Sequence, residues 1–176
     1  MTSVQPAEVL LRRHFQALAA RPSSWKDLRV ADLSAYHRSV LLTDGTVTRT
    51  VEAHALEPIT VDCTAQYETA RTADNAGWLD LAPDEPVIAR HVNLIGAHTE
   101  TRYARAESLI VPGRLPDAFA TALVVEPAGI GAALQATESY RQLLYYGTTT
   151  DAICARCYRI VTNGRPAIVI REWFLR

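Results

Sequence analysis

Two charged residues stand at positions where the strand period calls for apolar side chains. In Val87–Ile95 the two-residue alternation puts Ile88, Arg90, Val92 and Leu94 on one face. In Ala167–Leu175 it puts Ile168, Ile170, Glu172 and Phe174 on one face. An unpaired buried charge is costly, so Arg90 and Glu172 either pair with one another as a structural ion pair or bind a ligand carrying complementary groups. The other reactive residues carry weaker patterns. Cys154-Ala155-Arg156-Cys157 has the C-x-x-C form, but there is no second pair, and three residues along a strand put the two sulfurs on opposite faces. This spacing predicts neither a metal site nor a disulfide. His14, His37, His54, His91 and His98 show no H-x-H or H-E-x-x-H spacing and read as surface or capping residues. Gly129-Ile130-Gly131 precedes a short predicted helix, where free backbone N–H groups could hold a carboxylate.

The elements that must position these residues follow from periodicity and turn signals. Pro6–Ala20 and Leu33–Leu42 read as helices, the second ending at Thr43-Asp44-Gly45. Thr46–Leu56 and Pro58–Glu68 read as strands, the latter with Ile59, Val61, Cys63, Ala65 and Tyr67 on a buried face. Thr69–Pro86 reads as a long loop or irregular helix of the length used for mobile covers. Strands resume at Val87–Ile95 and Thr101–Val111 around Gly96-Ala97-His98, then short helices at Pro116–Leu123 and Gly131–Ala136, then a strand at Tyr140–Tyr146. Ala152–Thr162 and Arg165–Leu175 flank Asn163-Gly164, a strong hairpin signal because both turn residues tolerate positive φ. With a two-residue loop Thr162 faces Arg165, and the register then sets Ala155 opposite Glu172, Ile153 opposite Phe174 and Cys157 opposite Ile170. A small residue beside a buried acid leaves a gap for an aromatic-sized ligand, or for ordinary small-against-large packing.

Strands joined by short turns, with helices before and between them, predict an α+β fold: a single largely antiparallel sheet of about six strands flanked by helices. At 176 residues, 48% hydrophobic and 21% charged, the chain reads as one globular domain over 1–176, with 1–32 as a helical extension. A net charge of −1 argues against a nucleic-acid partner. Of the 18 basic residues only Lys26 is lysine, which fits a GC-rich coding sequence. No apolar run is long enough to span a membrane, and Arg12 and Arg13 interrupt the N-terminal one. Three cysteines are too few for a disulfide framework, so a cytoplasmic location is expected.

In the order Leu41–Arg49 (LLTDGTVTR), Ala89–Leu94 (ARHVNL), Ile110-Val111-Pro112, Gly129-Ile130-Gly131 and Arg171–Leu175 (REWFL), the chain resembles the chorismate lyase-like family. The resemblance runs from about Leu33 to the C-terminus. It implies an internal pocket in which chorismate is converted to 4-hydroxybenzoate and pyruvate without metal or organic cofactor. It also implies roles for named residues. Arg90 would grip the ring carboxylate, backbone amides at Val47 and Ile130, beside Gly131, would complete that site, and Glu172 would hydrogen-bond the 4-hydroxyl and act as, or position, the base. The bacterial ubiquinone-pathway enzyme has methionine and leucine at the two amide positions. Arg49, placed by a strand reading on the face of Val47 and Val51, could meet the pyruvyl carboxylate or be a surface cation. The expected partner is a small-molecule substrate only, with the protein a monomer or small homo-oligomer. Two further functions fit the same fold: an enzyme acting on another small carboxylate, and a ligand-sensing domain. A sensing regulator would also need a DNA-binding module, for which Met1–Leu42 is too short.

Overall fold

The computed structural model describes residues 6–70, 72, 77–117, 119 and 138–175. Six strands form one antiparallel sheet: β1 (Ile59–Thr69), β2 (Val87–Gly96), β3 (Arg102–Ile110), β4 (Ser139–Thr149), β5 (Ala152–Thr162) and β6 (Arg165–Leu175). Their spatial order is β1-β2-β3-β6-β5-β4. The predicted class and sheet are therefore present, and β4 is longer at both ends than the sequence suggests. Asn163 and Gly164 both take positive φ, 49° and 74°, the conformation a two-residue hairpin turn requires.

Three helices precede the sheet: α1 (Pro6–Arg12), α2 (Ala35–Leu42) and α3 (Val47–Ala55). The Ser34 side chain accepts a hydrogen bond from the His37 N–H and starts α2. Helix α3 corrects the strand predicted over Thr46–Leu56. Its β-branched residues suggest a strand, yet only Val47 and Val51, one helical turn apart, are buried, and Leu56 closes the helix at φ 57°. The predicted N-terminal helix is also shorter. Beyond Arg12 the backbone is drawn to the sheet edge, where the Gln16 and Ala17 N–H groups donate to the Leu143 and Leu144 carbonyls at 2.9 and 2.8 Å. This covers part of edge strand β4.

Strands β5 and β6 are buried on both faces over most of their length. One face of the sheet, with Val92, Ala106, Ile160, Ile168 and Phe174, packs against Val40, Leu41, Val47 and Val51 of α2 and α3. The other, with Val87, Cys157, Val169 and Trp173, is covered by Trp25, Leu79 and Leu81. Within the predicted cover, residues 77–86 pack on this second face. Arg114 ties them there, donating to the Leu79 and Asp80 carbonyls and to Glu85. Residues 77–86 thus form a layer on the far side of the sheet from the helices. The predicted helix over Gly131–Ala136 and most of that over Pro116–Leu123 lie outside the described residues.

The β5–β6 register departs from the sequence expectation. Thr162 pairs with Arg165 and Val161 with Pro166, but Ile160 pairs with Ile168, so Ala167 is one extra residue on β6. Proline lacks the N–H that a ladder needs, and the bulge lies beside it. A one-residue slip exchanges faces, so Arg156, not Ala155, stands opposite Glu172. Cys154 instead of Ile153 faces Phe174, and Tyr158 instead of Cys157 faces Ile170.

Candidate active site

A pocket opens between the helix-covered face of the sheet and the chain from Gly45 to Thr48. Arg90 on β2 and Glu172 on β6 both line it, and both are buried, at 3% and 7% exposure. Between them runs β3, whose pocket-facing residues are small: Ser108 is paired with Arg90 and Ala106 with Glu172. Two strand spacings, roughly 10 Å, thus separate the cation-bearing strand from the acid-bearing one, with a floor of one methyl and one hydroxymethyl group between. Val61, Val92, Leu94, Ile160 and Ile170 supply apolar lining. A flat apolar ring with a polar group at each end fits such a site. The space that the sequence assigned to Ala155 is provided instead by Ala106 and Ser108.

Glu172 is held from β5. Arg156 Nε donates to Glu172 Oε2 at 2.8 Å, and the Tyr158 hydroxyl donates to Oε1 at 3.0 Å. Burial, reinforced by the Glu172 carboxylate, pushes the Tyr158 hydroxyl well above its ordinary range, which keeps it a donor. Arg156 is fully buried; burial opposes its charge, but the neighbouring Glu172 carboxylate and the Tyr158 oxygen together outweigh that and hold the guanidinium protonated. Its Nη1 also donates to the carbonyls of Leu41 and Thr43, at 3.3 and 2.7 Å, capping the C-terminal end of α2. The acid is therefore aimed by an ion pair that also anchors the helix leading into the pocket wall.

Val47 is the first residue of α3 and lines the pocket. First-turn N–H groups of a helix have no intrahelical acceptor, so a backbone donor at Val47 follows from the helix rather than from a strand. Arg49 is two residues further round the helix and exposed, so it does not join Val47 and Val51 on one face and is not part of the pocket lining. Ile130 and Gly131 lie outside the described residues.

Sequence reasoning missed Arg156, Tyr158 and Arg141, the last a lining residue on β4. Pro166 inside the last strand was the available signal for the first two, because it predicts a bulge and hence the exchanged faces. Cys154 and Cys157 do lie on opposite faces, and burial pushes their thiols up to about 12 and about 11. No group of three metal-ligating side chains occurs among the described residues, and no described helix is long and apolar enough to cross a membrane.

The fold is shared with the effector domain of PhnF from Mycobacterium smegmatis, at a TM-score of 0.52 and 12% identity over 76% of this chain and 90% of that one. Curated relatives are nearer in sequence. A chorismate pyruvate-lyase of Mycobacterium leprae is 30% identical over 79% of this chain and 73% of its own length. A chorismate pyruvate-lyase of Mycobacterium tuberculosis H37Rv is 26% identical over 85% and 84%. Residues 41–176, which hold the whole sheet and the pocket, match the family described as Chorismate pyruvate-lyase Rv2949c-like, and the chain belongs to that family.

Proposed function

We propose that the protein converts chorismate to 4-hydroxybenzoate and pyruvate in this pocket. The observation that carries the reading is the placement of Arg90 and Glu172 at the two sides of the Ala106–Ser108 floor. A guanidinium at one side binds the ring carboxylate through a bidentate bond, supported by the Val47 N–H at the start of α3. A carboxylate at the other side accepts the hydrogen bond of the 4-hydroxyl. The ring is thereby held by both ends of its long axis.

The reaction breaks the bond from ring carbon 3 to the ether oxygen and removes the hydrogen on ring carbon 4. The ring becomes aromatic, and the departing enolpyruvyl group gains one proton to become pyruvate. Aromatisation supplies the driving force, so holding one conformer in a water-poor pocket is the main requirement of the protein. Both oxygens of Glu172 already accept hydrogen bonds from Arg156 and Tyr158, which suits a fixed acceptor for the substrate hydroxyl. The proton is then taken by the enolpyruvyl methylene itself or by Glu172, and substitution at Glu172 separates the two.

The test is to incubate purified protein with chorismate and follow 4-hydroxybenzoate and pyruvate together. Equimolar appearance of both is expected. Folded protein that forms neither rejects the reading and leaves binding of another small carboxylate, as an enzyme or as a sensor of the PhnF effector-domain fold, as the use of the same pocket.

A further inference from the structure

Chorismate carries two carboxylates, and Arg90 accounts for one. Resting on the reading above, we infer that Arg141 receives the second, on the enolpyruvyl group. Among the described residues lining the pocket, Arg90 and Arg141 are the cationic ones. They stand on β2 and β4, four strand spacings or roughly 19 Å apart at the backbone, and so reach into the pocket from opposite sides, with the strand of Glu172 between them. Across the sheet the order is Arg90 on β2, Glu172 on β6, then Arg141 on β4. That order, cation, acceptor, cation, matches ring carboxylate, 4-hydroxyl and enolpyruvyl carboxylate, because the ether leaves the ring at the carbon next to the hydroxyl.

The Arg141 guanidinium is placed for this and is not used up elsewhere. Its Nη1 donates to the carbonyl of Asp44, at the mouth of the loop that lines the pocket. Its carbon Cζ lies 6.0 Å from the centroid of the Tyr158 ring, whose hydroxyl touches Glu172. Its Nε is buried and makes no hydrogen bond with any described residue, and no described carboxylate pairs with it. A guanidinium tethered at one nitrogen, with a second nitrogen buried and unpartnered among the described residues and its side chain lining a pocket, is suited to bind an anion. Arg49, the sequence candidate for this role, is exposed on α3.

The test compares ligands with one and two carboxylates on the wild type and Arg141→Gln. The variant is expected to lose roughly 10- to 100-fold in kcat/KM for chorismate, the scale of one charge-assisted hydrogen bond. Its affinity for 4-hydroxybenzoate, which has no second carboxylate, stays at the wild-type value. Arg141→Lys, which keeps the charge without the fork, falls between. Equal weakening of both ligands shows that Arg141 only shapes the pocket through Asp44 and overturns the assignment, as does an unchanged kcat/KM. Should the wild type not turn chorismate over, equilibrium binding of 3-(carboxymethoxy)-4-hydroxybenzoate against 4-hydroxybenzoate, which differ only in the second carboxylate arm, gives the answer separately. Loss of the dicarboxylate preference in Arg141→Gln then upholds Arg141 while the lyase reading fails. A wild type with no dicarboxylate preference overturns both.

Discussion

Arg156 and Glu172 face one another across β5 and β6, with Nε 2.8 Å from Oε2 and both side chains buried. The pair exists because of the bulge at Ala167. Without it Ala155 would occupy that position and the acid would need another partner. Glu172 lines the pocket while Arg156 stands behind it and reaches the end of α2, so one ion pair joins the last strand, the helix layer and the site.

Removing one partner of a buried pair leaves an uncompensated charge. Arg156→Met is therefore expected to destabilise the protein by roughly 3–5 kcal/mol. The double variant Arg156→Met with Glu172→Leu should recover much of that loss, because an apolar pair has no charge to desolvate. Urea denaturation of the three variants, with the two single changes and the double compared, checks this. A double variant as unstable as the sum of the singles would show that the pair is not a coupled unit.

Arg90→Ala is expected to cost at least ~2 kcal/mol of 4-hydroxybenzoate affinity, the scale for losing a buried charged hydrogen-bond partner. Calorimetric titration measures it. Affinity equal to wild type would remove Arg90 from the ring-carboxylate site.

Glu172→Gln retains size and one acceptor oxygen but cannot take a proton. With the enolpyruvyl methylene as proton acceptor, turnover falls by less than ~10²-fold; a larger fall with substrate binding intact assigns the base to Glu172. Single-turnover rates with chorismate, alongside melting curves to account for the unpaired Arg156, distinguish the outcomes.

Glu57, in the connection to β1, organises the β2–β3 turn from below. Its carboxylate accepts from the Thr99 hydroxyl at 2.6 Å, the His98 and Thr99 N–H groups at 2.8 and 3.1 Å, and the Tyr103 hydroxyl at 3.1 Å. The Thr99 hydroxyl and the His98 N–H, chiefly, hold its pKa down from 4.5 to about 2. A depressed carboxyl stabilises the fold above its unfolded pKa and loses that contribution as pH falls through the folded one. Glu57→Gln should thus be less stable than wild type at neutral pH, with the gap closing between about 4.5 and 2. Gly96→Ala should be destabilising at neutral pH too, since a Cβ there collides with the Glu57 carboxylate. Denaturation midpoints as a function of pH test both; a pH-independent gap for Glu57→Gln would contradict the assignment.

The thiols of Cys154 and Cys157, raised to about 12 and about 11 by burial, stay protonated at neutral pH. In the native protein a thiol reagent at pH 8 should modify Cys63 alone, and the activity of a Cys154→Ala, Cys157→Ala double variant should remain within a few-fold of wild type. Rapid labelling of all three cysteines without unfolding would refute this.

Much of the sheet was determined by local sequence. Alternation along Val87–Ile95 and Ala167–Leu175 suffices to put Arg90 in line with Val92 and Leu94, and Glu172 in line with Ile168, Ile170 and Phe174, because the two-residue period of a strand is a local property; that helices cover this face is decided by the tertiary fold. The opposite faces of Cys154 and Cys157 follow from the same period. What stands beside those residues is not local. The bulge beside Pro166 shifts the partner strand by one residue and exchanges Ala155 for Arg156, which no pattern within β5 reveals. Val47–Ala55 has strand-forming residues, and packing of Val47 and Val51 on the sheet makes it a helix, which turns Arg49 outward and leaves a first-turn N–H at the pocket. Arg141 lies on a strand four places away from Arg90, and the sheet order β1-β2-β3-β6-β5-β4 puts the strand of Glu172 between the two arginines that line the pocket. Side-chain period is set by the backbone, but which charge meets which is set by register and strand order, and these are fixed only when the whole sheet assembles.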